Sequence, residues 1–455
     1  MVLIGGANCD DTLAKGIAAL TPAFDYIFVG EAEATFRAFC GNLKQGKLPE
    51  GRFIMGTPTI DLDQSPFPDY EAFFLQMSFF LPESGMFERR EISLPYETSR
   101  GCWWGQKHHC TFCGLNGSGM AFRMKSASKV VDELRALRAR YGKYLITMSD
   151  NIMPSTYYRD VLPRIVEEDL DLELFYEIKA NINQEQVMLL KDSGINLIQP
   201  GIEALSSSLL RRLRKGVTAA QNIRLLRDCR SLEVFVIWNI LFDVPGDEDR
   251  EYEETLSLIP KLRHLEPPNR FTPVNLDRFS PYFNEPERFR IANLRPNAWY
   301  HDIYPSHIAV DDLAYHFVGD ADVVGRRNPA LVRDIASEVR AWIDRWQGPR
   351  KPVLSVSQVE NDEYIVYDSR ATGDPQASLI SRAMASVIAG ETRDASAEVD
   401  EAMDRDWVVK IDGIHVGLAV ASREILGRLR HAGVRMPNAG YHDGEPAGAS
   451  VCVGS

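Results

Sequence analysis

Three of the chain's seven cysteines fall within twelve residues, in Cys102-Trp-Trp-Gly-Gln-Lys-His-His-Cys110-Thr-Phe-Cys113, directly after a strand-like segment from Ile92 to Thr98. Three thiolates at such spacing read as a metal site. Four would close a tetrahedral zinc shell or fully ligate a [4Fe–4S] cluster, whereas three leave one iron open to bind and act on a small molecule. With His108 or His109 as fourth ligand the loop would instead be a zinc knuckle, although zinc ligands usually pair as C-x2–4-C and H-x3–5-H, unlike this run. Phe112, between the second and third cysteines, can shield a cluster and stack on a nucleoside, and the small Gly114 permits close backbone approach. The remaining cysteines, Cys9, Cys40, Cys229 and Cys452, are scattered and read as small buried apolar residues.

The elements that position this loop follow a βα rhythm. A strand before Cys102 is followed by strand candidates at Tyr144–Ser149, Leu172–Ile178, Asn196–Gly201, Val234–Phe242 and Phe271–Phe279, separated by helices near 156–168, 184–193, 206–230 and 248–264. The first helix places Val130, Val131, Leu134 and Leu137 on one face, with a serine cap at Ser126 or Ser128 and Gly142 as terminator. Six such units form an open doubly wound sheet or a partial barrel, and both place chemistry at the carboxyl ends of strands. Ahead of them, two further βα units span 1–49, with Gly5-Gly6 in the first turn; two parallel strands alone make a poor domain, so this is a truncated Rossmann-like segment. Residues 50–90 lack periodicity and read as a linker, 91–284 as the core, and 285–350 as a connector and helix. Residues 351–440 read as a small α+β winged-helix-like module with a helix at 376–389, and 441–455 as a disordered tail.

A chain of 455 residues with net charge −13 lacks the basic surface that a nucleic-acid footprint needs. The one basic run, Arg211-Arg212-Leu213-Arg214-Lys215, reads as the solvated face of a helix. No apolar run is long enough for a membrane span and no signal peptide is evident, so a cytoplasmic location is expected.

The segment Ser99-Arg-Gly-Cys102 through Cys110-Thr-Phe-Cys113-Gly-Leu-Asn116 resembles the cluster loop of radical S-adenosylmethionine (SAM) enzymes, in the widened C-x7-C-x2-C form of a family that matures ribosomally made peptides and that is similar to cobalamin-dependent C-methyltransferases. Gly5-Gly6-Ala-Asn-Cys-Asp, Gly30-Glu31-Ala-Glu33, Ser149-Asp150-Asn151, Gln199-Pro-Gly-Ile-Glu203 and Pro245-Gly246-Asp247 look like landmarks of that family in the right order.

The resemblance implies a partial (β/α)6 TIM-like radical SAM barrel in which Cys102, Cys110 and Cys113 hold a [4Fe–4S] cluster. The open iron chelates SAM, and reductive cleavage gives a 5′-deoxyadenosyl radical. Glu203 matches the position that holds the nucleoside ribose; a helix-cap carboxylate ahead of Ser206 is its plainer reading. Asp150 stands where a Gly-Gly-Glu motif would bind the methionine amine. Lys179, Asn181, Asn239 and Asp243 are placed toward the carboxyl end by position. Gly5 and Gly6 match the turn that approaches a cobalamin tail, in a cobalamin domain of which only the last part is matched. The implied partners are a precursor peptide, with the 351–440 module as its leader-binding candidate, and a reductant protein such as flavodoxin or ferredoxin. The expected reaction is C-methylation of the peptide at an unactivated carbon. Cross-linking or epimerisation without methyl transfer, or a noncatalytic zinc-stabilised peptide-binding protein, are the alternatives.

Overall fold

The structure is a computed structural model that describes residues 1–82, 92–115, 117, 119–360, 362–371 and 373–430. Asn116, Cys452 and the expected disordered tail lie outside the described residues.

Five strands, Ser93–Tyr96, Leu145–Met148, Glu173–Glu177, Ile195–Gln199 and Phe235–Val236, pair side by side in chain order, all parallel. The single strand expected over Val234–Phe242 is broken. Trp238 turns its indole onto the carbonyl of Glu266, and the chain resumes as Asn239–Phe242, which pairs in parallel with Arg270–Pro273. A bridge between Glu203 and Ile240 joins the two sheets. The strand expected to run through Phe279 ends at Pro273; Leu276–Asp277 leaves for a second, antiparallel sheet with His316–Asp320 and Ala292–Pro296. That sheet continues beyond the carboxyl end of the last parallel strand, in the region read as connector.

Alternation explains the packing. Leu174 and Tyr176 face the covering helices and are buried, whereas Glu173, Phe175 and Glu177 face the other side and are half-buried. The first core helix, Ala127–Tyr141, is capped by Ser126 and ended by Gly142 at φ 84°, and its Val130, Val131, Leu134 and Leu137 are fully buried. Burying four such side chains contributes roughly 6–10 kcal/mol before entropy is charged against it.

One expected helix is interrupted where it matters. The segment 206–230 forms Ser207–Arg212 and Ala219–Ser231, with Arg214 (φ 54°) and Gly216 (φ 62°) left-handed between them. Trp104 fills the space a side chain at Gly216 would need, lying 2.0 Å from a Cβ placed there. Thr218 and Gln221 then form a capping box that restarts the helix.

The amino-terminal segment has three parallel strands, Leu3–Ile4, Tyr26–Val29 and Phe53–Met55, so the expected linker contributes a strand. It also contains the helix Glu71–Phe80, which has no buried residue; its sequence is apolar around most of its circumference, so it shows no amphipathic period to read. In the carboxy-terminal module, Gln376–Ser381 is a strand, not the start of a helix. Ser381 caps the helix Arg382–Ala389 that follows. The strands Val408–Ile411 and Ile414–Gly417 meet at Asp412-Gly413, both with positive φ, the turn a tight hairpin requires.

Candidate functional site

The cysteine loop lies over the carboxyl ends of the parallel strands and is tied down on every side. Asp150, after the second strand, is buried and accepts from Thr98 N at 2.7 Å, Thr98 Oγ1 and Ser99 Oγ at 2.7 Å, fixing the strand end that leads into Cys102. Burial pushes its carboxyl up to about 6, against these hydrogen bonds. The carboxylate therefore faces the strand end rather than the mouth, and its observed part is positioning. Gly101, at φ 76°, lies so close to the Ala121 carbonyl (2.4 Å from a Cβ placed there) that no side chain fits.

Trp103 and Trp104 donate from their indoles to the carbonyls of Met153 and Arg214, at 3.1 and 3.0 Å. Thr111 N donates to Leu213 O at 3.2 Å, and Tyr282 N to Thr111 O at 3.0 Å. Gly114 packs against the Arg278 carbonyl, 2.1 Å from a Cβ placed there. All three site cysteines are partly buried free thiols. Burial raises Cys102 and pushes Cys113 up to about 12.

The interrupted helix delivers Lys215 to this loop. Its Nζ lies 3.4 Å from Glu203 Oε1 and 5.6 Å from the Phe112 ring centroid. Burial acts to lower Lys215, but Glu203 and the thiolates of Cys110 and Cys113 outweigh it and raise the amine. Lys179 lies over Trp104, 3.5 Å from the ring centroid, and donates to Lys215 O; burial and the neighbouring Lys215 bring it down to about 7. Glu177, at the end of its strand, is pushed up to about 7 by burial and then by Glu203. Cys102, Cys110, Cys113, Phe112, Glu203, Lys179 and Lys215 thus share one mouth, with Glu177 behind them.

Several expectations need correction. The basic run ending in Lys215 is not a solvated helical face: Lys215 is drawn inward by the break at Arg214–Gly216. Glu203 is not a helix cap; at φ 58° it turns its carboxylate to Lys215. The Glu203–Ile240 bridge sets Asn239 beside that level, half-buried. Asp243 is instead held by Gly325 N at 2.7 Å. Gly5 and Gly6 lie on an exposed turn, and a Cβ at Gly6 would meet nothing within 4 Å. Asp10, just after that turn, abuts Gly117 behind the cysteine loop. The sequence reading passed over Glu177 and Trp104; the signal for Lys215 was the Gly216 that follows it, a residue type that ends helices.

The donor set fits an iron–sulfur cluster better than zinc. His109 Nε2 lies 2.8 Å from Cys113 O and His108 stacks on Trp104 at 4.2 Å, so both imidazoles are engaged within the loop. Among the described residues no three His, Cys, Asp or Glu side chains converge on one point as a single ion requires. Thiolates that each bind a different iron of one cluster need not converge so. Soft sulfur donors, partly buried beside a raised lysine that tolerates added negative charge, suit such a cluster.

A parallel α/β core with a three-cysteine loop at its carboxyl end defines a class. Residues 96–259 match the family described as the Radical SAM superfamily, and they form a radical SAM domain. A domain of this kind works with a [4Fe–4S] cluster and SAM. The chain is 26% identical over 263 residues to an uncharacterized methyltransferase of Pyrococcus horikoshii, covering 53% of this chain and 54% of that one. It is 26% identical over 235 residues to the bacteriochlorophyllide d C-12(1)-methyltransferase of Chlorobaculum tepidum, covering 50% of each. The chain thus spans about half the length of these relatives. The structure of the cobalamin-dependent S-adenosylmethionine radical enzyme OxsB superposes with a TM-score of 0.51 at 16% identity, covering 76% of this chain and 54% of that one; this likeness is one of fold. No described helix is long and apolar enough to cross a membrane.

Proposed function

We propose that the chain is a radical SAM methyltransferase that modifies a ribosomally made precursor peptide at an unactivated carbon. The observation that carries this reading is that Cys102, Cys110 and Cys113 lie on one loop at the carboxyl end of the parallel sheet with the Lys215–Glu203 pair beside it. Methyltransferase names among the relatives support the reaction class. When bound, the cluster and SAM supply a carbon-centred radical.

The chain's own residues bind, orient and exclude water. The three thiolates hold the cluster, and the Asp150 contacts to Thr98 and Ser99 keep its loop seated. Phe112 and Gly114 leave a flat, uncrowded approach beside it, suited to a nucleoside. Glu203, held by Lys215, would accept from ribose hydroxyls, and Asn239 stands at the same level. Trp103 and Trp104 close the loop against the core, which limits water at the mouth.

Cobalamin belongs to the proposal through the amino-terminal segment. Gly6 leaves open space where a bound ligand would approach, Asp10 sets that turn behind the cysteine loop, and the enzyme whose fold this chain shares is itself cobalamin-dependent. The 351–440 module is proposed to bind the peptide's leader, and a flavodoxin or ferredoxin to supply electrons.

Anaerobic reconstitution followed by dithionite tests the reading: 5′-deoxyadenosine should be released from SAM by the wild type and not by Cys110→Ala. Release that persists in Cys110→Ala, or none from the iron-loaded wild type, contradicts it. Cobalamin is tested by the visible spectrum of protein incubated with hydroxocobalamin and desalted; a retained corrin band supports binding and a colourless protein removes it.

A further inference from the structure

Beside the cysteine loop, outside every contact described so far, an aspartate and a histidine pair across two antiparallel strands. Asp277 and His316 are direct partners in the register, and His316 Nδ1 lies 2.7 Å from Asp277 Oδ1. The pair stands on the sheet that extends past the carboxyl end of the last parallel strand. The residue after Asp277, Arg278, offers the carbonyl against which Gly114 packs, and Asp277 Cβ lies 2.9 Å from a Cβ placed on Gly114.

The backbone at the histidine is fixed. Tyr300 OH accepts from both Tyr315 N (2.8 Å) and His316 N (3.1 Å), and Tyr300 is itself stacked on Trp299 at 3.9 Å. Trp299 in turn lies 6.1 Å from the His316 ring. His316 keeps 39% of its side chain exposed while Asp277 keeps 23%, so the carboxylate is the inner member and the imidazole the outer one. Burial raises the Asp277 carboxyl and the His316 contact opposes that rise. Nε2 of His316 has no partner among the described residues. A carboxylate that takes Nδ1–H leaves Nε2 as a lone-pair base aimed outward, the base-and-orienter arrangement of general-base catalysis.

We propose that Asp277 and His316 form a proton-accepting site at the mouth, where His316 Nε2 takes a proton from an N–H or O–H group of the substrate. The substrate's X–H bond breaks with its electron pair left on X, an N–H bond forms at Nε2, and Asp277 stabilises the imidazolium without being protonated. His316 is the residue that touches substrate and Asp277 the one that positions it. The role assigned to the pair rests on reading this mouth as the substrate entrance, but the dyad itself can be tested without cluster or SAM.

Two measurements on the full chain do so. Nitrogen-15 spectra of histidine-labelled protein at pH 8 should show His316 protonated at Nδ1 and bare at Nε2, with that preference lost in Asp277→Asn. The probe 5-nitrobenzisoxazole, which opens when an exposed base removes its activated C–H proton, should react at least ~10-fold faster with the wild type than with His316→Gln, with Asp277→Asn between them. Added imidazole should restore the rate of His316→Gly. An Nε2–H tautomer, or equal probe rates for wild type and His316→Gln, overturns the proposal. Because both readouts use protein as purified, their failure is distinct from a failure to bind iron or cleave SAM.

Discussion

The two segments that flank the radical SAM domain are attached to it in opposite ways. The carboxy-terminal module shares one continuous hydrophobic core with the domain, while the amino-terminal segment keeps a small cluster of its own around Cys9, Ala14, Ile27 and Val29. The carboxy-terminal seam is sealed by buried polar groups: Arg227 donates to Gly390 O and Gly417 O at 2.7 and 2.8 Å, and His264 Nε2 meets Leu418 O at 2.7 Å. The amino-terminal seam combines close packing of Gly16 on Asp312 and Leu313, the Arg278–Thr12 hydrogen bond at 2.9 Å and a charge network. Glu31 accepts from Arg100 at 2.9 Å and from Arg123 at 2.6 Å, joining the Gly30-Glu31 turn to the strand that leads into Cys102. More than half of the exposed large apolar side chains among the described residues lie in residues 1–82. A module inside the shared core is part of the domain's stability; a segment with a small core of its own, tied on by a few partly buried ion pairs, adds less to it.

The largest expected effect breaks the carboxy-terminal seam. Arg227→Met leaves Asp228 buried without its cation, with only the Gln184 amide donating to it, and takes one donor from each of the Gly390 and Gly417 carbonyls, and should cost about 3–5 kcal/mol in urea unfolding. A loss under about 1 kcal/mol would mean that the seam is not held as described.

Between the two seams lies the mouth, where Glu177 gives a pH signature. Its folded value of about 7 stands above the ordinary 4.5, so the folded chain holds this proton more tightly than the unfolded one. The carboxyl therefore opposes folding fully above pH ~7 and not at all below about 4.5. Glu177→Gln should stabilise the chain by roughly 3 kcal/mol at pH 8 and by nothing at pH 4. Parallel stability curves across that range would refute the assignment.

Breaking the amino-terminal seam should cost less. Glu31→Gln, which loses charged hydrogen bonds from Arg100 and Arg123, is expected to cost about 1–2 kcal/mol. Amide exchange in Tyr26–Val29 should accelerate, read by mass spectrometry; protection unchanged there would show that the ion pairs do not hold the segment. The smallest effect belongs to the exposed helix Glu71–Phe80. Leu75→Glu with Phe79→Glu should leave unfolding within about 0.5 kcal/mol while raising solubility, because neither side chain is buried. A larger loss would place that helix in a packed interface.

The sequence made the parallel core legible because its helices are amphipathic and capped, as at Ser126 and Gly142, and its strands are short β-branched runs. The cysteine spacing singled out the loop proposed to hold the cluster. What it hid are features that depend on the fold bringing distant residues together. Lys215 looked like one more surface base because a basic run and a helical period are both local, whereas its burial follows from the fit of Trp104 over Gly216. Asp150 carries a family landmark, yet its carboxylate is engaged by Thr98 and Ser99, residues fifty positions earlier that no spacing rule connects to it. The helix Glu71–Phe80 was invisible because apolar residues on nearly every face erase the period.

The central claim is that three thiolates, with Lys215 and Glu203 beside them, hold a cluster with one open iron. It is tested most directly by electron paramagnetic resonance of the anaerobically reconstituted, dithionite-reduced chain before and after SAM is added. The account predicts roughly four irons per chain and a signal whose g-values shift on adding SAM, both lost in the triple variant Cys102→Ala, Cys110→Ala, Cys113→Ala. A protein that takes up zinc and no iron, or a cluster signal indifferent to SAM, would contradict it.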